Sequence, residues 1–308
     1  MDNRPEPHGH DHHHDHGPLT YDKAFKIAIT ANGLFVIMQI IYAYIANSTS
    51  LLADAFHNLG DVLGLGLAWI ATGLMRRAPT ITTTYGLKKS SILSALANGI
   101  LLVFTCGIIA TEAVYKLFTP TEIHAVPVMI VAGVGILVNG TTALLFMRGG
   151  QDLNIKAAYL HLLYDALISL GVVFAAGLLY LTGWLWIDPV VGIFIALIML
   201  KGTWSLFKNS LQLIIDGVPP GISWVAVRDF FIQKVGVEDF HDLHIWALST
   251  TENALSVHLY MPNMDLNDET RARWVTELAQ NFSIQHVTIQ IEKDMRYCLD
   301  ACAQKTCL

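Results

Sequence analysis

The sequence predicts a mostly α-helical membrane protein, with six transmembrane helices followed by a C-terminal α+β domain. Three observations lead there. Charged residues are 14% of the 308 and apolar residues 53%, against about 25% charged in a typical soluble domain. Mean hydropathy is +0.47. Long apolar runs recur up to Lys208, and alternating strand patterns begin only after it. A net charge of −6 argues against nucleic acid as a partner.

Residues 1–20 form a polar tail in which His8, His10, His12, His13, His14 and His16 are interleaved with Asp11 and Asp15. Nothing in it can bury a core, so disorder is expected. The interleaved acids set it apart from a purification tag. Metal capture and a dispensable tail that binds metal weakly both fit the composition. The N-terminus lacks the basic-then-apolar pattern of a cleavable signal peptide.

The membrane domain is expected over residues 21–208. Its apolar segments run over 27–46, 51–75, 90–110, 126–147, 157–181 and 184–204. A spanning helix needs about 20 apolar residues. The sixth segment reads as the weakest, because Asp188 and Pro189 shorten its apolar core. Basic residues set the orientation. Lys23 and Lys26 precede the first segment. Arg76, Arg77, Lys88 and Lys89 lie between the second and third. Arg148 and Lys156 lie between the fourth and fifth, and Lys201 and Lys208 close the sixth. Lys116 alone falls on the other side. The positive-inside rule then places both termini in the cytoplasm.

Gly217, Pro219, Pro220 and Gly221 punctuate the chain after the last span. Residues 222–235 and 268–282 have helical periodicity. Residues 238–248, 254–261 and 286–292 alternate like strands. The order α-β-β-α-β over 209–295 suits a small sheet covered by two helices on one face, cytosolic by the same charge rule. Residues 296–308 form a tail with Cys298 and Cys302 before Cys307. The cysteines do not read as a secreted disulfide framework, and their spacing is looser than a zinc knuckle.

The strongest chemical signal is one motif written twice. The second segment carries His57-x-x-x-Asp61 and the fifth His161-x-x-x-Asp165. Residues four apart share a helix face, so each helix presents an imidazole and a carboxylate to one side. If the faces meet, two nitrogens and two oxygens suit tetrahedral Zn²⁺. A membrane Asp costs about 2.5 to 3.5 kcal/mol on insertion scales, and no Lys or Arg lies mid-span to offset it. The alternative is polar glue between helices. The matched pairs without countercharge favour a divalent cation. Asp54, one turn before His57, suits either a ligand on the way in or out, or a helix cap. Glu112 reads as an interfacial charge, and Asn58 and Asn139 as inter-helix hydrogen bonders. No His-Glu-x-x-His and no G-x-x-x-x-G-K-[ST] occurs, which argues against a metalloprotease and an ATP-driven pump.

The segments SLLADAFHNLGD (50–61), YLHLLYD (159–165), WIDP (186–189), DGVP (216–219), FHDLHIWAL (240–248) and HVTIQIE (286–292) resemble the cation diffusion facilitator family of zinc transporters. The similarity is to its bacterial cobalt-zinc-cadmium resistance branch in particular, and covers the chain after residue 20. The resemblance implies a homodimer in a bacterial plasma membrane, with a ferredoxin-like cytosolic domain. It also implies export of Zn²⁺ from the cytoplasm in exchange for protons, not an enzymatic reaction. The family's transport site falls on His57, Asp61, His161 and Asp165. His241 and His258 match positions where the family binds regulatory metal, and solvated surface histidines are the alternative. Two departures follow. No Asp, Glu or His lies between Asp61 and Glu112, so an extra metal site in the loop between spans two and three is not expected. The usual basic-x-acidic pattern after Tyr85-Gly86 is replaced by Lys88-Lys89-Ser90, which removes the acidic partner of a local ion pair.

Exporting two charges against a negative-inside potential of 100 mV opposes about 4.6 kcal/mol. Without ATP, inward protons are the available drive. Histidine suits the exchange, since its reference pKa of about 6.5 lets protons compete with metal at one nitrogen. Two imidazoles with two carboxylates favour Zn²⁺ or Co²⁺ over Mn²⁺, with Cd²⁺ preferring softer ligands. A membrane zinc sensor or scaffold without transport is the second reading, but it has no need of an intramembrane quartet.

Overall fold

The computed structural model describes residues 18–147 and 153–294. The histidines of the N-terminal tail and Cys298, Cys302 and Cys307 lie outside them. The apolar runs form six long helices: α1 (Pro18–Ile45), α2 (Thr49–Met75), α3 (Ser90–Phe118), α4 (Ala125–Met147), α5 (Leu153–Thr182) and α6 (Ile187–Ile214). Among the described residues, α2 to α6 are each long and apolar enough to cross a bilayer, and α1 adds the shorter apolar stretch Asn32–Ile45. The sixth segment is therefore not the weakest. Asp188 and Pro189 sit in the first turn of α6, where a proline's missing N–H is harmless, and the helix continues to Ile214. Likewise α3 runs on to Phe118, so Glu112 lies inside the helix rather than at its end.

The chain divides into two compact units. One joins the residues up to Val62 with Ala113–Gly192. The other joins Leu63–Glu112 with the chain from Ile193. In the first unit Asp188 makes a contact that no local pattern announces. It is buried and caps α2 from a distant helix. The backbone N–H of Thr49 donates to its Oδ2 at 2.6 Å, and the Ser48 and Ser50 hydroxyls donate to its Oδ1 at 2.5 Å each. Gly192 allows this approach, since a Cβ there would lie 2.9 Å from the Thr49 methyl. The Asn47 carbonyl accepts from Lys116 Nζ at 3.0 Å, and Asn47 itself takes a left-handed φ of 51°. Asp188→Ala strips the cap from a buried helix start. It is expected to destabilise the protein by about 2 to 3 kcal/mol, read as a lower thermal midpoint in detergent. An unchanged midpoint would deny the cap this role.

In the second unit, α7 (Trp224–Ile232), β1 (Asp239–Ala247), β2 (Asn253–Tyr260), α8 (Asp268–Phe282) and β3 (His286–Glu292) follow the α6 helix. Ser223 and Asn267 cap the two helices by accepting from the N–H of Ala226 and Thr270. The sheet order is β1-β2-β3, with β1 and β2 antiparallel and β2 and β3 parallel. One face packs Leu243, Ile245, Leu255, Val257 and Leu259 against Val227 and Phe231 of α7 and Trp274 and Leu278 of α8. This is the α+β layering that the periodicity predicts.

Lys88 and Lys89 are not without acids. Lys88 pairs with Glu252 in the β1–β2 turn, and Lys89 Nζ lies 2.6 Å from Asp216 Oδ1. The ion pairs expected to be lost with the local acidic partner are made instead to residues far along the chain.

Candidate metal site

Helices α2 and α5 bring the two motifs face to face. His57 Nε2 lies 3.1 Å from Asp165 Oδ1, and His161 Nε2 lies 3.3 Å from Asp61 Oδ2. Within each helix the pairs are His57 Nδ1 to Asp61 Oδ2 at 4.0 Å and His161 Nε2 to Asp165 Oδ2 at 3.7 Å. The imidazole centroids are 6.3 Å apart and nearly perpendicular. A tetrahedral zinc ion about 2 Å from each donor places neighbouring donors about 3.3 Å apart. The observed pair distances of 3.1 to 4.0 Å surround that value, but His57 and Asp165 each make their two pairs through different atoms, so holding one ion requires these side chains to turn. Ligand atoms of His57, Asp61 and Asp165 all fall within 4.8 Å of one another. All four expected residues are therefore gathered, and no Lys or Arg pairs with them among the described residues.

The cross-helix pairs rank by exposure. Side chains are 48% and 31% exposed at His161 and Asp61, but 15% and 4% at His57 and Asp165. One end of the group meets solvent or lipid and the other is enclosed. Beyond the enclosed end lies Asp54, which is fully buried. It is not the cap of α2, a place taken by Asp188. Its Oδ2 accepts from Gln39 Nε2 at 2.6 Å and from Ser169 Oγ at 2.9 Å. Asn58 donates to Gln39 Oε1 at 3.1 Å, the inter-helix bond expected of it. Asn139 is buried too, but its Nδ2 has no hydrogen-bond partner among the described residues.

A second cluster sits on the sheet face away from the helices. Strict alternation from Leu243 would turn His241 toward the core. A bulge at Asp242, with φ of 55°, reverses it. His241 then pairs in register with His258, and their rings are 4.9 Å apart. Glu292, at the end of β3, joins them. Its Oε2 lies 2.9 Å from His241 Nε2, and its Oε1 lies 2.8 Å from His258 Nδ1. Asp242 borders the group, with Oδ2 3.9 Å from His258 Nε2 and Oδ1 2.8 Å from His244 Nε2. Sequence reasoning placed the two histidines in a candidate site and left Glu292 out of it. The available signal was the outward parity of His258, Gln290 and Glu292 on adjacent strands.

Two stretches match known domain families. Residues 25–215 match the cation efflux transmembrane domain, and residues 219–294 match the cation efflux protein cytoplasmic domain. The chain belongs to the cation efflux family, a family of membrane transporters rather than enzymes. It is 34% identical to the metal cation efflux system protein CzcD of Cupriavidus metallidurans over 290 residues, 92% of this chain and 90% of that one. It is 31% identical over 286 residues to the cadmium, cobalt and zinc/H⁺-K⁺ antiporter of Bacillus subtilis, covering 91% and 92%. The zinc transporter ZitB of Escherichia coli is 29% identical over 289 residues, 92% of each chain.

Proposed function

We propose that this protein exports Zn²⁺ from the cytoplasm in exchange for protons, binding the ion at His57, Asp61, His161 and Asp165. One observation carries the reading. Two imidazoles and two carboxylates from two membrane helices converge, with neighbouring side chains paired at 3.1 to 4.0 Å and no cationic side chain paired to them among the described residues. Relatives named as a zinc transporter and as a zinc/H⁺-K⁺ antiporter support metal and coupling alike. Co²⁺ and Cd²⁺ are secondary substrates on the same grounds.

In this mechanism zinc displaces protons from the imidazoles on the cytoplasmic side. Protons arriving from outside then compete for those nitrogens and release the metal. Access alternates by rocking of helices around a fixed site. The membrane domain spans 21–208 and the cytosolic domain 209–295, with both termini in the cytoplasm. Two copies pair through the cytosolic domains. His241 and His258, joined by Glu292, hold a second, regulatory zinc, for which two imidazoles and a carboxylate are an apt donor set.

Equilibrium zinc binding to the detergent-solubilised protein separates the two sites. Wild type is expected to hold two zinc populations. Asp165→Ala removes one and Glu292→Ala the other. Full binding in Asp165→Ala would remove the quartet from the proposal, and full binding in Glu292→Ala would remove the regulatory site.

A further inference from the structure

The transport reading leaves Asp54 unused, although Asp54 is the most deeply buried carboxylate of α2. Its position continues the quartet. Asp61 faces His161, His57 faces Asp165, and Asp54 faces Ser169. These are successive cross-helix steps, spaced three or four residues apart on α2 and four apart on α5. Exposure falls along them in that order, from partly exposed to fully buried. Helical rise puts Asp54 about 4.5 Å beyond His57 along the axis.

Its hydrogen bonding is one-sided. Gln39 and Ser169 both donate to Oδ2, whereas Oδ1 is buried without a hydrogen-bond partner among the described residues. No cationic side chain pairs with it among them either. A buried carboxylate oxygen left unmatched is unfavourable. Simple inter-helix glue does not require it, because an asparagine carbonyl would accept both of these bonds without burying a charge. The neighbourhood is also tightly closed. A Cβ at Gly135 would lie 2.8 Å from the Phe35 ring and 3.1 Å from Ser169 Oγ.

We infer that Asp54 is a transit ligand for the divalent cation, met on the enclosed side of the quartet. The inference rests on the quartet being the transport site. With the gate closed, Gln39 and Ser169 occupy Oδ2 and seal this end. As the helices part, the ion leaves His57 and Asp165 for the Asp54 carboxylate, one helical turn away, before water completes its shell. The carboxylate supplies charge where the ion would otherwise cross a neutral, closed stretch. Asp54 thus speeds passage without adding to resting affinity.

The test compares Asp54→Asn, Asp54→Glu, Ser169→Ala and Asp165→Ala in the full-length protein. Two quantities are read: membrane-site zinc binding, taken as the population Asp165→Ala removes, and initial zinc flux in proteoliposomes at saturating zinc. Asp54→Asn is expected to bind zinc within about threefold of wild type but turn over at least about tenfold more slowly, the pattern of an interaction made only in passage. Asp54→Glu recovers most of the flux. Ser169→Ala loosens the seal but leaves the carboxylate, so its flux changes by less than about threefold, against about tenfold or more in Asp54→Asn. Wild-type flux in Asp54→Asn overturns the inference. So does equal slowing in Asp54→Asn and Ser169→Ala, which would make the group a polar scaffold. Where Asp54→Asn fails to fold, a slowing of about tenfold or more in Ser169→Ala, which keeps the carboxylate, still overturns the inference. Both zinc populations surviving intact in Asp165→Ala would sink the quartet itself, a result separate from either outcome at Asp54.

Discussion

Asp165→Ala is expected to abolish zinc transport while leaving the protein folded. Asp165 is almost wholly buried, and its two oxygens reach both imidazoles, at 3.1 Å to His57 and 3.7 Å to His161. Removing it leaves three donors and withdraws one of the two negative charges that offset the ion. Loss of an outer-shell partner alone costs about 10- to 100-fold in metal affinity, so loss of a direct ligand is expected to lower flux by more than about 100-fold. Folding should survive, since an imidazole that loses this carboxylate can shed its proton and stay neutral. The check is initial zinc flux alongside the thermal midpoint and the elution profile in detergent. Residual flux near wild type in a folded variant would place the site elsewhere.

His57→Asp is expected to change which metal is carried. It converts two imidazoles and two carboxylates into one and three. Oxygen-rich sites suit Mn²⁺, whereas imidazole suits Zn²⁺ and Co²⁺. A shift in relative preference of about tenfold from Zn²⁺ toward Mn²⁺, or about 1.4 kcal/mol, is the expected size. The pH dependence should move as well. An imidazole must be neutral to hold metal, so acid competes near its reference pKa of about 6.5, while a carboxylate resists protonation down to about 3.9. Metal binding by the variant therefore persists to lower pH than in wild type. Competition between Zn²⁺ and Mn²⁺, measured over a pH series, reads both effects. An unchanged preference would show that His57 does not contact the ion.

The parts of the fold visible in the sequence are those written in local periodicity. Six apolar runs gave six helices, and the alternating segments after Lys208 gave the three strands at nearly their observed limits. The quartet was visible because both halves use the same four-residue spacing on helices. What stayed hidden depends on partners far along the chain. Asp188 looked like a flaw in the last span because the N–H groups and hydroxyls it satisfies belong to Ser48, Thr49 and Ser50. Lys88 and Lys89 seemed to lack acids because Glu252 and Asp216 lie on other elements. Asp54 left two roles open because neither Gln39 nor Ser169 belongs to its own helix. The bulge at Asp242 cannot be read from alternation, since it is a break in alternation, yet it sets His241 beside His258 and Glu292.

These hidden contacts and the visible quartet occupy different levels of the same design. Periodicity places α2 and α5 in the bilayer. The Asp188 cap and the Asp54 bridge fix particular turns of α2 against neighbouring helices. The quartet then brings two imidazoles and two carboxylates together between α2 and α5.

Zinc flux in sealed proteoliposomes with an imposed pH gradient tests proton-driven transport through the quartet most directly. Zinc should move opposite to the protons, speed up with the gradient, stop when the gradient is collapsed, and vanish in Asp165→Ala. Zinc bound by folded wild type with no flux under any gradient would contradict transport and leave a membrane zinc sensor. Flux indifferent to the gradient would contradict proton exchange.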